Sequence, residues 1–193
     1  GLAFLDAGVV TWQQKIDDKG WYKLENDDRL YRDWKRTGHG FVDLHDAMVE
    51  SCDTYFYEAA FHASIDRIAP FLAQFGFGRN MTYDVPNALP GLLPDRQWKR
   101  AHRGRSWYAG DTVNLGIGQG FMLTTPLQLA TATAMLAAKG KWKTPRLMQS
   151  VGSETKIDTD KVLANIVLKD PKDWDKMFKA MEDVIIGTKG TPR

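Results

Sequence analysis

One cysteine, Cys52, stands among 193 residues, so no disulfide can form within the chain and cysteine usage does not report a redox compartment. No apolar run approaches the roughly 18–20 residues that a membrane-crossing helix needs. No basic segment opens the chain ahead of an apolar stretch, so no signal peptide is visible. An excess of one charge is missing too. The 26 basic and 24 acidic residues leave a net charge of +2, too even to draw the whole chain to nucleic acid or an anionic membrane. Internal repeats and low-complexity segments are absent. What remains is a globular composition, 43% hydrophobic and 26% charged, in a chain long enough for a single domain, 1–193, with a substantial core. Its opening, Gly1-Leu2-Ala3-Phe4-Leu5-Asp6-Ala7-Gly8, reads as the tail of a buried helix stopped at Gly8. Nothing before it supplies a cap, so the chain is expected to begin inside an element of a longer protein.

Residues 11–40 are polar and aromatic without a sustained period. They are expected to be loop with one or two short strands around Gly20 to Leu24. A loop of that length is uncommon unless something ties it down. Asp43 is placed to cap a helix whose face is Ala47, Met48, Cys52, Tyr55, Phe56, Ala59 and Ala63. Either one helix covers residues 44–62, or two meet at Ser51-Cys52-Asp53 with Asp53 capping the second. Ser64 caps a further helix ended by Gly76 and bent or limited by Pro70. Residues 77–120 are rich in turn formers, and the cluster Lys99, Arg100, His102, Arg103 and Arg105 reads there as solvated loop. Thr125-Pro126-Leu127-Gln128 is a capping box with proline in the first turn, starting a helix to Lys139. Lys141 to Ile157 suggests a β-hairpin. A last helix from Asp170-Pro171 to Gly187 is expected to bury Trp174, Met177, Phe178, Met181, Val184 and Ile185.

Three patterns bear on chemistry. Ser51 has no lysine one helical turn later, so it reads as a hydroxyl that relays a proton rather than as an attacking nucleophile. Its plain alternative is a serine bonded to backbone at a helix junction. The chain's one Ser-x-x-Lys, Ser153 to Lys156, falls in the expected hairpin and reads as chance. Cys52 reads either as a small buried hydrophobe or as a thiolate ligand. Asp18, Asp33, His39 and Cys52 would make a closed O2NS set suited to zinc, with Gly38 and Gly40 freeing the backbone around His39. Gly116-Ile117-Gly118-Gln119-Gly120 lacks the spacing and the partners of a phosphate loop. It reads as a tight turn where backbone meets backbone.

Taken in order, Tyr31-Arg32-Asp33-Trp34-Lys35, Gly38-His39-Gly40, Ser51-Cys52-Asp53-Thr54-Tyr55-Phe56-Tyr57, Trp107-Tyr108-Ala109-Gly110-Asp111-Thr112, Gly116-Ile117-Gly118-Gln119-Gly120 and Thr125-Pro126-Leu127-Gln128 resemble the penicillin-binding protein 2 family. These are class B peptidoglycan D,D-transpeptidases of cell elongation. The resemblance covers nearly the whole chain. It implies the α+β, β-lactamase-like transpeptidase fold, mostly helical in this window with long loops and a small hairpin. It implies an enzyme that cross-links stem peptides through a serine acyl-enzyme and is a target of β-lactams. Ser51-Cys52-Asp53 matches the second of three family motifs, with Ser51 and Asp53 as catalytic residues. Asp53 stands where the general pattern has Asn and cannot donate to a substrate carbonyl; it would instead hold the catalytic lysine. Ser-x-x-Lys is expected before Gly1 and Lys-Ser/Thr-Gly after Arg193, so the fragment alone is expected to be inactive. The resemblance further implies one structural zinc on Asp18, Asp33, His39 and Cys52. It implies partners in the rod-system glycosyltransferase and elongation complex, and no nucleic acid. The parent would be anchored by an N-terminal helix on the periplasmic side of the inner membrane. The rival reading is a non-catalytic, zinc-stabilised module that binds cell wall or a partner protein. A β-lactam sensor would likewise need the nucleophile.

Overall fold

The computed structural model describes residues 1–82, 87–146 and 163–190, and these form two compact units. The first comprises residues 1–68, 95–120 and 168–193; the second, residues 69–94 and 121–167.

In the first unit, helix α1 (Leu2–Asp6) stops as anticipated, with Gly8 at a φ of 67°. The 11–40 segment holds more strand than expected. It contains β1 (Ile16–Asp18), β2 (Trp21–Lys23) and β3 (Leu30–Arg32), and β4 (Gly40–Val42) follows. They pair as two antiparallel ribbons, β1 with β4 and β2 with β3. In the first ribbon Asp18 stands opposite Gly40, so residues 18 and 39 are brought together at its end. The turns that allow this need glycine. A Cβ on Gly20 would lie 2.4 Å from the Arg36 carbonyl oxygen, and one on Gly38 would lie 2.1 Å from that of Asp18. Each chain therefore passes against the other's backbone where no side chain fits.

The second of the two helical alternatives holds. Helix α2 (Leu44–Val49) is capped by the Asp43 carboxylate, which accepts from the Asp46 N–H at 3.0 Å. It breaks at Glu50, and α3 (Asp53–Ala63) begins three residues later. Asp53 does not cap it. It is the first helical residue, Cys52 holds the cap position, and no bond from the Cys52 side chain closes that end. Ser64 separates α3 from α4 (Ile65–Gln74), which carries Pro70 in its interior; the division between the units falls within α4, after Ile68.

Two helices were not anticipated. In α5 (Arg96–Arg103), Asp95 accepts from the Trp98 N–H at 2.6 Å, and Gly104 closes the end in a left-handed conformation. Apart from Arg105 the basic cluster is thus helical; Arg100, His102 and Arg103 are exposed as expected, but Lys99 is only 4% exposed, in an ion pair with Asp111. In α6 (Ala109–Gly116), Asp111 also accepts from the Tyr108 N–H at 2.7 Å. The glycine-rich run starts at the last residue of this helix, Gly116, and continues as turn. A Cβ on Gly116 would lie 2.5 Å from the Ala60 Cβ and 2.8 Å from the Phe56 oxygen, so α3 and α6 meet at backbone distance, as the tight-turn reading required. Leu24, Tyr31, Tyr57 and Val113 pack together beside this crossing.

In the second unit, α7 (Pro126–Ala137) starts with the expected box: Thr125 Oγ1 accepts from the Gln128 N–H at 3.2 Å, and Gln128 Oε1 accepts from the Thr125 N–H at 3.0 Å. Residues 141–146 form no regular element, and the rest of the expected hairpin, to residue 157, lies outside the described residues. The last helix, α8 (Lys172–Ile186), belongs to the first unit and buries Trp174, Met177 and Ala180. Met181 and Ile185, expected inside, are 41% and 65% exposed.

Candidate functional site

Four side chains from four separate turns of the first unit converge. Asp18 ends β1, Asp33 follows β3, His39 precedes β4, and Cys52 stands at the head of α3. One ligand atom from each lies within 4.8 Å of the others. Asp18 is the hub. Its Oδ1 accepts from the Gly20 N–H at 2.7 Å; its Oδ2 accepts from the His39 N–H at 2.9 Å and lies 2.7 Å from His39 Nδ1 and 3.5 Å from Cys52 Sγ. Asp33 is held by the Lys35 N–H at 2.9 Å and the Thr54 N–H at 3.2 Å, and its Oδ1 is 3.7 Å from His39 Nδ1. The second bond joins the 11–40 segment directly to the first turn of α3.

The whole set is withdrawn from water: Asp18, Asp33 and Cys52 are 2%, 1% and 0% exposed, and the His39 side chain is fully covered. Burial by itself would push the Asp18 carboxyl up. The nearby Thr54 hydroxyl, His39 and the backbone N–H groups of Gly20 and His39 outweigh it and hold that carboxyl below the ordinary range. Burial drives the Cys52 thiol up, and the charges of Asp18 and Asp33 add to the rise. Two carboxylates and a thiol this close and this dry are costly without a cation, and His39 can offset only one charge. A tetrahedral ion with bonds of about 2.0–2.3 Å spaces its ligands about 3.3–3.8 Å apart. The 3.5 and 3.7 Å separations fall in that range, and the 2.7 Å one would open slightly. His39 Nε2 is buried with no hydrogen-bond partner among the described residues, which leaves the cluster as the ring's only polar attachment there. The donor set therefore fits a small divalent cation of borderline softness.

Ser51 and Asp53 flank this cluster. Ser51 is exposed and has a φ of 56°, a left-handed conformation that a non-glycine residue seldom holds. Asp53 is half-buried. Burial raises its carboxyl, the neighbouring Asp33 adds to that, and the Trp34 backbone N–H opposes it. The corner itself is pinned by the Glu50 N–H to Asp46 O at 2.8 Å and the Cys52 N–H to Ala47 O at 2.9 Å. Sequence reasoning passed over Trp34. Its Nε1–H donates to Glu50 O at 3.1 Å, and its ring meets that of His39 at 5.6 Å between centroids. Its place immediately after Asp33, within the Tyr31-to-Lys35 run that carries the family resemblance, was the available signal. A second group, Asp43, His45 and Asp46, is accounted for without a ligand: Asp43 caps α2, and His45 Nε2 lies 3.0 Å from Asp183 Oδ2.

Residues 2–193 match the family described as the penicillin binding protein transpeptidase domain. The chain is 41% identical over 184 residues to the peptidoglycan D,D-transpeptidase MrdA of Acinetobacter baumannii, covering 94% of this chain and 27% of that one. It is similar to the crystal structure of Pseudomonas aeruginosa PBP2 in complex with WCK 5153, with a TM-score of 0.93 and 46% identity over 98% of this chain and 41% of that chain. The complex between PBP2 and MreC from Helicobacter pylori is similar with a TM-score of 0.85 and 31% identity, over 98% and 34% of the two chains. The chain spans about a quarter to three tenths of the length of the first curated relatives it matches.

Proposed function

The chain belongs to the penicillin-binding protein transpeptidase family, and on that premise we propose that the protein containing it is a serine D,D-transpeptidase that cross-links peptidoglycan stem peptides during cell elongation. The observation that carries this is the Ser51-Cys52-Asp53 corner: an exposed serine in a constrained backbone, with a carboxylate two residues on, inside a segment that matches the family along its length. In this reading the attacking serine and its lysine lie outside these 193 residues. Ser51 relays a proton between that lysine and the amine that leaves or attacks, and Asp53 supplies the carboxylate that holds the lysine cation. β-Lactams would acylate the same outside serine. Lys189-Gly190-Thr191 has the residues of the third motif in the wrong order. Lys189 also faces Glu50 at 3.0 Å, in a structural ion pair.

Asp18, Asp33, His39 and Cys52 would hold one zinc ion in a structural role. Bound there, zinc supplies cross-linking rather than chemistry: it closes the 11–40 segment onto the head of α3. The similarity to a PBP2 solved with MreC supports an elongation-complex protein as a partner, and a rod-system glycosyltransferase belongs to the same reading. A cell-wall substrate supports a location on the periplasmic side of the inner membrane. No helix among the described residues is long and apolar enough to cross a membrane, so an anchor would lie elsewhere in the protein.

The test is Ser51→Ala in the natural-length protein, assayed for cross-linking of a pentapeptide donor. Turnover should fall at least about a hundredfold, the scale of positioned proton transfer. Intact mass after incubation with a penicillin should show acylation of the natural-length protein and none of the 193-residue chain. Acylation of the short chain would place the nucleophile within it and overturn this account.

A further inference from the structure

Trp34 lies between the ligand cluster and the serine corner, and neither the ligand set nor the motif uses it. Its side chain is just over half exposed, yet it is bound on two sides. The ring packs against His39 at 5.6 Å with the planes 64° apart. The indole Nε1–H donates to Glu50 O at 3.1 Å. That carbonyl belongs to the peptide unit joining Glu50 to Ser51, and rotation of this unit is what changes the φ of Ser51. Ser51 holds a φ of 56°, which persists only where the surroundings fix it. One residue thus grips both the chain immediately before Ser51 and the ring of His39. Because Trp34 follows Asp33 directly, any shift of Asp33 within the cluster moves this grip.

We propose that Trp34 is a positioning residue: it pins the Glu50–Ser51 peptide so that Ser51 keeps its left-handed backbone, and it couples that geometry to the Asp33–His39 side of the metal cluster. The role assigned to Ser51 rests on the transpeptidase reading above; the structural grip does not.

The experiment uses the natural-length protein with Trp34→Phe, which keeps a ring beside His39 and removes the N–H. A second variant replaces Trp34 with benzothienylalanine, nearly isosteric with tryptophan but without the donor, in case the phenylalanine variant fails to fold. Bound zinc per chain should stay at the wild-type level in the benzothienylalanine variant. Amide exchange over residues 50–53 should quicken about three- to tenfold, the equivalent of one net hydrogen bond. The kcat for cross-linking should fall by a similar factor with KM unchanged. Unchanged exchange in the benzothienylalanine variant would overturn the grip. Faster exchange with undiminished kcat would overturn the positioning role. Ser51→Ala, run in parallel, separates the two readings: if it retains full turnover, the relay role of Ser51 falls while the exchange data still decide on Trp34.

Discussion

Cys52→Ser separates a thiolate ligand from a buried small side chain, because the two roles predict opposite dependence on metal. In the metal-free protein the exchange is nearly isosteric. Cys52 is 0% exposed, and its Sγ already lies 3.5 Å from Asp18 Oδ2. A serine hydroxyl there would donate a shorter, charge-assisted bond that offsets most of its own desolvation, so the metal-free stability should move by no more than about 1 kcal/mol. The loaded protein differs. With free zinc at about a hundred times its dissociation constant, binding to the folded state alone contributes about 2.7 kcal/mol. At about 2–4 °C per kcal/mol for a chain of this size, zinc should raise the wild-type melting temperature by about 5–11 °C. Serine is a far poorer zinc ligand than thiolate, and three ligands in a site shaped for four give up most of that increment. The assay is thermal unfolding with added zinc and with a chelator, alongside elemental analysis of purified protein. Wild type should carry about one zinc per chain, and Cys52→Ser should melt near chelated wild type under both conditions. Equal zinc content and equal increments in the two proteins would refute thiolate ligation.

Four further outcomes follow from the same geometry. Burial and the neighbouring carboxylates push the Cys52 thiol above its ordinary value, so the metal-free fold holds the proton that zinc must expel. Apparent zinc affinity should therefore drop at least about tenfold for each pH unit lowered, and a flat profile in chelator competition would exclude the thiolate. The metal-free chain carries the opposite dependence: its raised thiol favours folding fully below the unfolded value of about 8.5, and that stability is lost as the pH rises past it, which unfolding at alkaline pH would show. Gly38→Ala places a Cβ 2.1 Å from Asp18 O and 2.7 Å from Gly20 N at a φ of 76°; it should cost more than about 3 kcal/mol and abolish zinc retention, both read from denaturant unfolding with metal analysis. Gln128 is fully buried and donates from Nε2 to the carbonyls of Gly76, Arg79 and Pro90 at 3.3, 2.9 and 2.6 Å, so Gln128→Glu should destabilise by about 3–5 kcal/mol at neutral pH and by less once acid restores a donor.

Where local signals decide an element, the sequence was a sufficient guide. Thr125, Pro126 and Gln128 start α7 through bonds among neighbours, and Asp43 starts α2 in the same way, so neither depends on distant parts of the chain. Helices α5 and α6 were missed although Asp95, Gly104 and Asp111 are local caps, because the charged stretch carrying Lys99 reads as solvated and the contact that buries Lys99 is not local. Lys99 looks solvated within Lys99-Arg100 until Asp111 is brought against it from the following helix. With the ammonium ion-paired and lying 4.5 Å from the Tyr108 ring centre, Lys99, which a charge count assigns to water, is buried, while Arg100, His102 and Arg103 stay exposed. Met181 and Ile185 err the other way: helical spacing puts them on the apolar stripe of α8, but spacing cannot say how far a covering surface extends.

The ligand cluster shows the same division at finer scale. Residue type and the flanking glycines singled out Asp18, Asp33, His39 and Cys52. What draws them within 4.8 Å is the backbone crossing at Gly20 and Gly38, together with the opposition of Asp18 and Gly40 across two short strands. The break between α2 and α3 then does something an unbroken helix could not. In a continuous helix, neighbours are about 100° apart around the axis, and Ser51 and Cys52 would share a boundary between core and solvent. The left-handed turn at Ser51 separates them: Ser51 is exposed, Cys52 is fully buried, and Asp53 opens a new helix beside the cluster. Under the roles proposed above, three consecutive residues serve proton transfer and metal binding because the backbone between them leaves the helix. In that reading the left-handed conformation of Ser51 is the structural condition on which both proposed roles depend.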